Sequence, residues 1–363
     1  MLVLVVNAGS SSLKLRLLDS NNTLKQSADL PVGPDGIDAA DLAAALERWG
    51  RPDVVGHRIV HGGTGFTGAV LIDDGVRQQL QDLTDLAPLH QPKSLAALDA
   101  VTKHLPQVPA VAAFDTAFHT TIPAAAATYA VPREWQQRYG IRRYGFHGLS
   151  HAYCSRRSAE LVGRPLETSR IISCHLGSGA SLAAVLNGRS VDTTMGFTPL
   201  EGLVMATRSG SVDPGLLLWL EEHEHLSPHD VATALEQRSG MLALAGTADM
   251  REVEAADSRG DPDARLALDV YIHRLAAGIA AMSAALGGLD VLAFTGGVGE
   301  HSPTVRHRTA ERLDYLGVAI GHLNDTVRED CDITASGATV RTMVITARED
   351  LQIAGEARRL LSA

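Results

Sequence analysis

Two arginines stand among small or apolar residues in this chain. Arg58 lies in His57-Arg58-Ile59-Val60-His61-Gly62-Gly63, and Arg208 lies in Ala206-Thr207-Arg208-Ser209-Gly210. The planar fork of arginine suits both carboxylate and phosphoryl oxygens, so such a pair could clamp a charged, planar transition state. His147 is similarly isolated in Tyr144-Gly145-Phe146-His147-Gly148. Asp115 follows the apolar Val111–Phe114, and Glu349 follows Val344–Arg348, which puts both carboxylates at expected strand ends. Read singly, each has a commonplace structural explanation: a surface arginine, a satisfied core histidine, or an acid at a helix N-terminus.

Three small-residue turns, Asn7–Ser12, His175–Ser181 and Thr295–Glu300, each follow an apolar strand-like run. Residues without bulk let backbone N–H groups approach phosphate oxygens, so the three together point to a nucleotide polyphosphate. One alone would be only a tight turn. No Gly-Lys-Ser/Thr P-loop occurs. The spaced glycines Gly63, Gly65 and Gly68 follow His61 and lead into the strand-like Val70–Ile72, whereas a dinucleotide fingerprint must open a helix. His57/His61 and His147/His151 have four-residue spacing without a neighbouring Cys or Glu to make a zinc site. A hard cation on oxygen ligands fits phosphate chemistry better.

These residues need elements to hold them. Leu2–Val6 and Leu13–Leu18 read as strands around the first turn. Ile171–Cys174 and Leu182–Leu186 repeat that plan around the second, and Asn187-Gly188 turns into Ser190–Thr193. Helical periodicity marks Ala39–Trp49, Gly75–Leu86, Pro92–Leu105, Ser150–Val162, Pro214–His223, Pro228–Arg238 and Pro262–Leu286. Strands are expected at Val108–Phe114, Val291–Thr295 and Val340–Thr346. The alternation predicts an α/β protein of two related lobes around a cleft. The first lobe is expected over 1–114, with a last helix over 350–363 closing back onto it, and the nucleotide-binding lobe over 115–349.

At 363 residues the chain has room for two such lobes, with 45% hydrophobic and 20% charged residues. A net charge of -10 argues against nucleic acid or an anionic membrane as partner. Cys154, Cys174 and Cys331 are scattered and read as reduced thiols. The apolar start is too short for a signal peptide, and no segment is expected to reach the length of a membrane span. The expectation is a soluble, cytoplasmic protein.

Taken together, the segments resemble the acetate kinase family. The resemblance is carried by Val-Val-Asn-Ala-Gly-Ser-Ser-Ser-Leu-Lys (5–14), Gly-His-Arg-Ile-Val-His-Gly-Gly (56–63), Ala-Pro-Leu-His-Gln-Pro (87–92) and Phe-Asp-Thr-Ala-Phe-His (114–119). It continues through Tyr-Gly-Phe-His-Gly-Leu-Ser-His (144–151), His-Leu-Gly-Ser-Gly-Ala-Ser (175–181) and Asp-Thr-Thr-Met-Gly-Phe-Thr-Pro-Leu-Glu-Gly-Leu (192–203). Thr-Gly-Gly-Val-Gly-Glu (295–300) and Glu349 complete it, in the family's order.

The resemblance implies the acetate and sugar kinase/actin/Hsp70 fold, two RNase H-like lobes, a homodimer, and direct in-line transfer between ATP/ADP and acetate/acetyl phosphate. It implies Mg²⁺, with Mn²⁺ as an alternative, at Asn7 and Glu349. Arg58, Asp115, His147 and Arg208 match the family's catalytic positions. Val60, Leu89, Phe146 and Pro199 match the pocket for the acyl methyl, beside Arg58. Ser10, Ser12 and Lys14 match the phosphate-side turn. His175, Leu176, Gly177, Ser178 and Gly179 match a nucleotide segment, as do Asp249, Met250 and Arg251, and Gly296, Gly297, Val298, Gly299 and Glu300. Ser178 and His301 stand where family members usually carry asparagine, and the stretch from Lys14 to Arg58 is shorter than usual. A propionate or butyrate kinase of the same family is the nearest rival; an actin- or Hsp70-like ATPase is the rival of another class.

Overall fold

Val3 and Val5 leave the first strand on one face, Leu4 and Val6 on the other, because successive strand side chains point to opposite sides. Both faces are therefore apolar, and both are covered. Leu42 and Leu46 of helix Ala39–Trp49 and Val101 of helix Gln91–His104 pack beside Leu4 and Val6. Ile353, Ala354 and Ala357 of the C-terminal helix Glu349–Ser362 pack beside Val3 and Val5. Each fully buried Val, Leu or Ile side chain contributes about 1.5–3 kcal/mol.

The computed structural model describes residues 1–9, 12–33, 36–87 and 91–362. The chain forms two units: one combines Met1–Thr120, Phe146–Tyr153 and the residues from Arg348 onward, and the other combines Thr121–Gly145 and Cys154–Ala347. Residues 115–120 and Phe146–Tyr153, expected in the second lobe, thus fall in the first unit. Hydrogen bonds explain this, since Gly148 N donates to Asp115 O at 2.8 Å and His119 Nε2 lies 3.0 Å from Phe146 O.

The first unit holds a sheet of β1 (Val3–Ala8), β2 (Ser12–Leu18), β3 (Leu24–Gly33), β4 (Gly36–Ile37), β5 (Val54–Ile59), β6 (Val70–Leu71) and β7 (Ala110–Phe114), in the order β4-β3-β2-β1-β5-β7-β6. The second holds β8 (Arg170–Leu176), β9 (Ala180–Leu186), β10 (Arg189–Thr193), β11 (Val291–Thr295), β12 (Cys331–Asp332) and β13 (Arg341–Val344), in the order β10-β9-β8-β11-β13-β12. In each, three antiparallel strands (β1–β3, β8–β10) run into a parallel trio (β1-β5-β7, β8-β11-β13). The two α/β units share one strand plan.

The turns are tighter than the sequence suggests. Asn7 pairs with Lys14, His175 with Ser181 and Leu176 with Ala180, so these residues belong to the ladders. Thr295–Glu300 also departs from the expected turn: Gly296–His301 is a short helix. Its own Glu300 Oε1 accepts from Gly296 N and from Ala347 N, each at 2.9 Å, which satisfies an end N–H that a turn would expose.

Helix Pro262–Leu286 follows the expected limits. Asp261 caps it by accepting from Asp263 N and Ala264 N at 2.9 and 3.0 Å, Pro262 fits its first turn, and Gly287 ends it at φ 65°. By length and composition this 25-residue helix could cross a membrane, which corrects the expectation that no segment reaches a span. Its Leu268, Tyr271, Ile272, Leu275 and Ile279 are buried in the second unit, the pattern of a core helix.

Candidate active site

In the first unit the ends of β1, β5 and β7 and the start of the C-terminal helix bring four side chains into one array. Arg58 donates from Nε to Asp115 Oδ1 at 3.0 Å and from Nη2 to Asp115 Oδ2 at 2.5 Å. Its Nη1 reaches Asn7 Oδ1 at 3.2 Å, and Asn7 Nδ2 donates to Glu349 Oε2 at 2.7 Å. The Asp115 side chain is 1% exposed and that of Arg58 14%. Burial opposes the charge on Arg58, but the nearby carboxylates of Asp115 and Glu349 outweigh it and raise the guanidinium pKa. Arg58 is a permanent cation presented on a fixed carboxylate.

His147 enters through its backbone. Its N–H donates to the Asp115 carboxylate, and its φ of 57° lies in the left-handed region, uncommon for any residue but glycine. Such strain persists where surrounding contacts over-determine the backbone, and it concentrates at functional positions. The next residue shows the constraint: a Cβ on Gly148 would lie 2.2 Å from Asp115 O. Only glycine lets the Phe146–Gly148 segment approach so closely.

Phe146 is 1% exposed and Val60 6%. The Phe146 ring meets His61 edge-on at 5.5 Å, while His61 Nδ1 accepts from Gly63 N at 2.9 Å and Phe146 O contacts His119. Burial lowers the pKa of both histidines to about 4, so they stay neutral beside the apolar residues. Lys14 stands opposite Asn7 and is exposed, and Ser12 O accepts from Gly9 N at 2.9 Å. Ser10 and Leu89 lie outside the described residues.

Asn7 and Glu349 offer the oxygen donors that Mg²⁺ or Mn²⁺ take. Among the described residues no group of three or more His, Cys, Asp or Glu is placed to hold a metal. Water and phosphate oxygens would have to complete the shell, which is how Mg²⁺ commonly binds. On donor chemistry the pair fits.

In the second unit Thr295 pairs with His175, so β8 and β11 end side by side. The His175–Gly179 segment and helix Gly296–His301 therefore leave neighbouring strand ends. Gly177 N donates to Gly179 O at 2.9 Å, closing the turn, and Ser178 O accepts from Ala206 N at 3.1 Å. Gly297, Val298 and Gly299 follow Gly296 in the short helix. Asp249 caps helix Met250–Ser258, and Arg251 holds its carboxyl down at about 2 by side-chain hydrogen bonds. Ser302, which follows the short helix, donates to Glu254 of the helix that Asp249 caps. Arg208 donates from Nη1 to Pro199 O at 3.1 Å, and burial lowers its pKa against the pull of Glu236.

Two arrangements have no forerunner in the sequence reading. Arg306 is buried and donates to Gly299 O and Glu300 O, each at 2.9 Å, bracing the end of the short helix. Tyr129, Arg143 and Glu201 form a cluster on the Pro199 loop. A Tyr, an Arg and a Glu scattered over 72 residues carry no spacing signal that could have joined them.

The family model described as the acetokinase family matches residues 41–355. The acetate kinase of Thermosipho africanus is 44% identical over 99% of this chain and 98% of that protein. Among solved structures, the acetate kinase of Porphyromonas gingivalis is similar with a TM-score of 0.90, 35% identity and coverage of 99% of each chain. A propionate kinase from Francisella tularensis is similar with a TM-score of 0.89, 34% identity and coverage of 98% of each chain.

Proposed function

The chain belongs to the acetokinase family, and from that premise we propose that it transfers the γ-phosphoryl group of ATP reversibly to acetate. A carboxylate oxygen of acetate attacks the γ-phosphorus as the bond to the β–γ bridging oxygen breaks. Acetyl phosphate forms and ADP leaves. No general base is needed, because acetate is already ionised at pH 7. The protein's work is alignment and neutralisation of charge spread over three phosphoryl oxygens.

The observation that carries this reading is the array Glu349–Asn7–Arg58–Asp115, with the strained His147 attached to it. In this reading Arg58 receives the acyl carboxylate and the transferring phosphoryl group, and Asp115 keeps its fork in one orientation. His147 donates to a phosphoryl oxygen in the transition state, and Arg208 supplies the second guanidinium. Each such donor is worth roughly 10²–10³ in rate. Asn7 and Glu349 would hold Mg²⁺, which, when bound, offsets phosphate charge. Val60 and Phe146, buried in the first unit, bound the acyl methyl, a role that the family's pattern also gives to Leu89 and Pro199. Lys14 and Ser12 with Ser10, and the His175–Gly179, Asp249–Arg251 and Gly296–Glu300 segments, serve the nucleotide. Free, buried Cys154 and Cys174 support a reducing, cytoplasmic setting. The exposed Leu216, Leu218 and Trp219 of helix Pro214–His223 support a homodimer.

The deciding assay is acetate-dependent ADP formation, with acetyl phosphate trapped by hydroxylamine. ATP hydrolysis indifferent to acetate would replace the kinase reading with an ATPase. A second reading, propionate as acceptor, is favoured by the likeness to a propionate kinase, and the same assay with propionate decides between them.

A further inference from the structure

Between β10 and helix Pro214–His223, residues 194–213 cross the second unit without regular secondary structure. A long irregular segment of this kind is uncommon in a packed domain unless it has a task. Its first half is held by three side chains. Arg143 donates from Nη1 to Thr194 O at 3.1 Å and to Met195 O at 3.2 Å, and from Nη2 to Glu201 Oε1 at 2.7 Å. Its guanidinium also lies 5.4 Å from the centroid of the Tyr129 ring. The Tyr129 hydroxyl donates to Glu201 Oε2 and accepts from Phe197 N at 3.0 Å. At the centre a Cβ on Gly196 would fall 1.7 Å from Glu201 Oε2 and 2.1 Å from the Tyr129 hydroxyl, so only glycine lets the loop lie this close to them.

That loop carries the carbonyl on which Arg208 rests. Pro199 O, between Phe197 and Glu201, accepts from Arg208 Nη1 at 3.1 Å. Gly196 O, in the same loop, accepts from Tyr144 N at 3.0 Å and Gly145 N at 3.3 Å, the two residues that precede Phe146 and His147 in the chain. We propose that Glu201, with Tyr129 and Arg143, is a positioning residue for phosphoryl transfer, which sets the direction of Arg208 by fixing the Pro199 carbonyl. This rests on the kinase reading and on the role given there to Arg208. The physical reason is preorganisation: a donor aimed by a rigid support needs no reordering when charge develops, and misplacement by about 1 Å can cost about 10²-fold.

The test is a double-mutant cycle in acyl phosphate formation, with unmodified enzyme measured first. Glu201→Ala should lower kcat roughly ten- to a hundredfold, and leave KM for ATP and acetate within about threefold. Glu201→Gln, which can still accept from Tyr129, should recover part of the loss. Tyr129→Phe, close to isosteric, should give a smaller fall of the same kind. In an Arg208→Ala background, Glu201→Ala should cost less than about twofold more, because the group it aims is gone. Independent, multiplying losses, or full kcat in Glu201→Ala and Tyr129→Phe, overturn the inference while the kinase reading stands. Unmodified enzyme that forms no acyl phosphate overturns that reading and this one with it.

Discussion

Arg58 and Asp115 meet side-on through a two-pronged ion pair, Nε to Oδ1 at 3.0 Å and Nη2 to Oδ2 at 2.5 Å, across 57 residues of chain. The geometry leaves the third nitrogen, Nη1, to reach Asn7. One guanidinium thus bridges the carboxylate that orients it and the amide beside Glu349.

Removing that bridge should cost both turnover and stability. Arg58→Ala and Arg208→Ala should each lower kcat by about 10² or more in folded protein. Arg58→Lys should rescue poorly, since an ammonium cannot span both Asp115 oxygens and Asn7. Arg58→Ala should also destabilise by about 3 kcal/mol or more, because it leaves Asp115 buried without its partner. Steady-state kinetics and urea unfolding check both; near-normal turnover in either folded alanine variant removes that arginine from the mechanism.

Ser178 lies in the turn after β8 and His301 ends the short helix that follows β11, and both are exposed. Restoring asparagine at both should change the KM for ATP and leave kcat within about threefold, since the change alters contacts made equally in the ground and transition states. Collapse of kcat at unchanged nucleotide affinity would move these residues to another part of the site.

Chain-length preference should follow Val60. Its β-branched side chain is stiff, and Phe146 beside the array is nearly fully buried. One methylene is worth about 1–3 kcal/mol in such a pocket, so acetate should lead propionate by about tenfold or more in kcat/KM. Val60→Ala should narrow the gap, chiefly through the KM for propionate. Equal kcat/KM for the two acids in unmodified enzyme contradicts this preference.

Acid should weaken the fold through His57. Its ring is buried, neither nitrogen has a hydrogen-bond partner among the described residues, and burial lowers its pKa from 6.5 to about 4. The unfolded ring takes a proton below about 6.5 and the folded ring only near 4, so acid favours the unfolded chain. The stabilisation is present above the unfolded value and is lost as pH falls through this window, at about 1.4 kcal/mol per pH unit. His57→Leu should keep the Tm near pH 7 and reduce its fall between pH 7 and pH 5. An identical fall in both proteins would assign the acid sensitivity elsewhere.

Local signals made much of this legible. Helices Ala39–Trp49, Pro214–His223 and Pro262–Leu286 have the predicted limits, because caps such as Asp38, Asp213 and Asp261 and apolar periodicity agree there. Strand β3 was missed, since its exposed, polar run is held mainly by pairing with β2. The apolar runs stop short of Asn7 and His175, yet both pair, because a ladder extends past an apolar run when the partner strand is in register. The short helix at Gly296 was missed for a similar reason: Glu300 caps it from within, against the low helix propensity of its glycines. Residue types marked Arg58, Asp115 and Glu349; their union through Asn7 is a product of topology.

The first unit is assembled from both ends of the chain, and that has a consequence for its birth on the ribosome. Val3 and Val5 are made before the second unit, yet the helix bearing Ile353, Ala354 and Ala357 that covers them is made after it. Every residue of the second unit precedes Arg348. The second unit can therefore mature on the nascent chain, while the earlier-made sheet waits with one apolar face bare. Order of maturation runs opposite to order of synthesis, and a nascent chain stalled before Ile353 presents that face to chaperones or to its neighbours on the polysome.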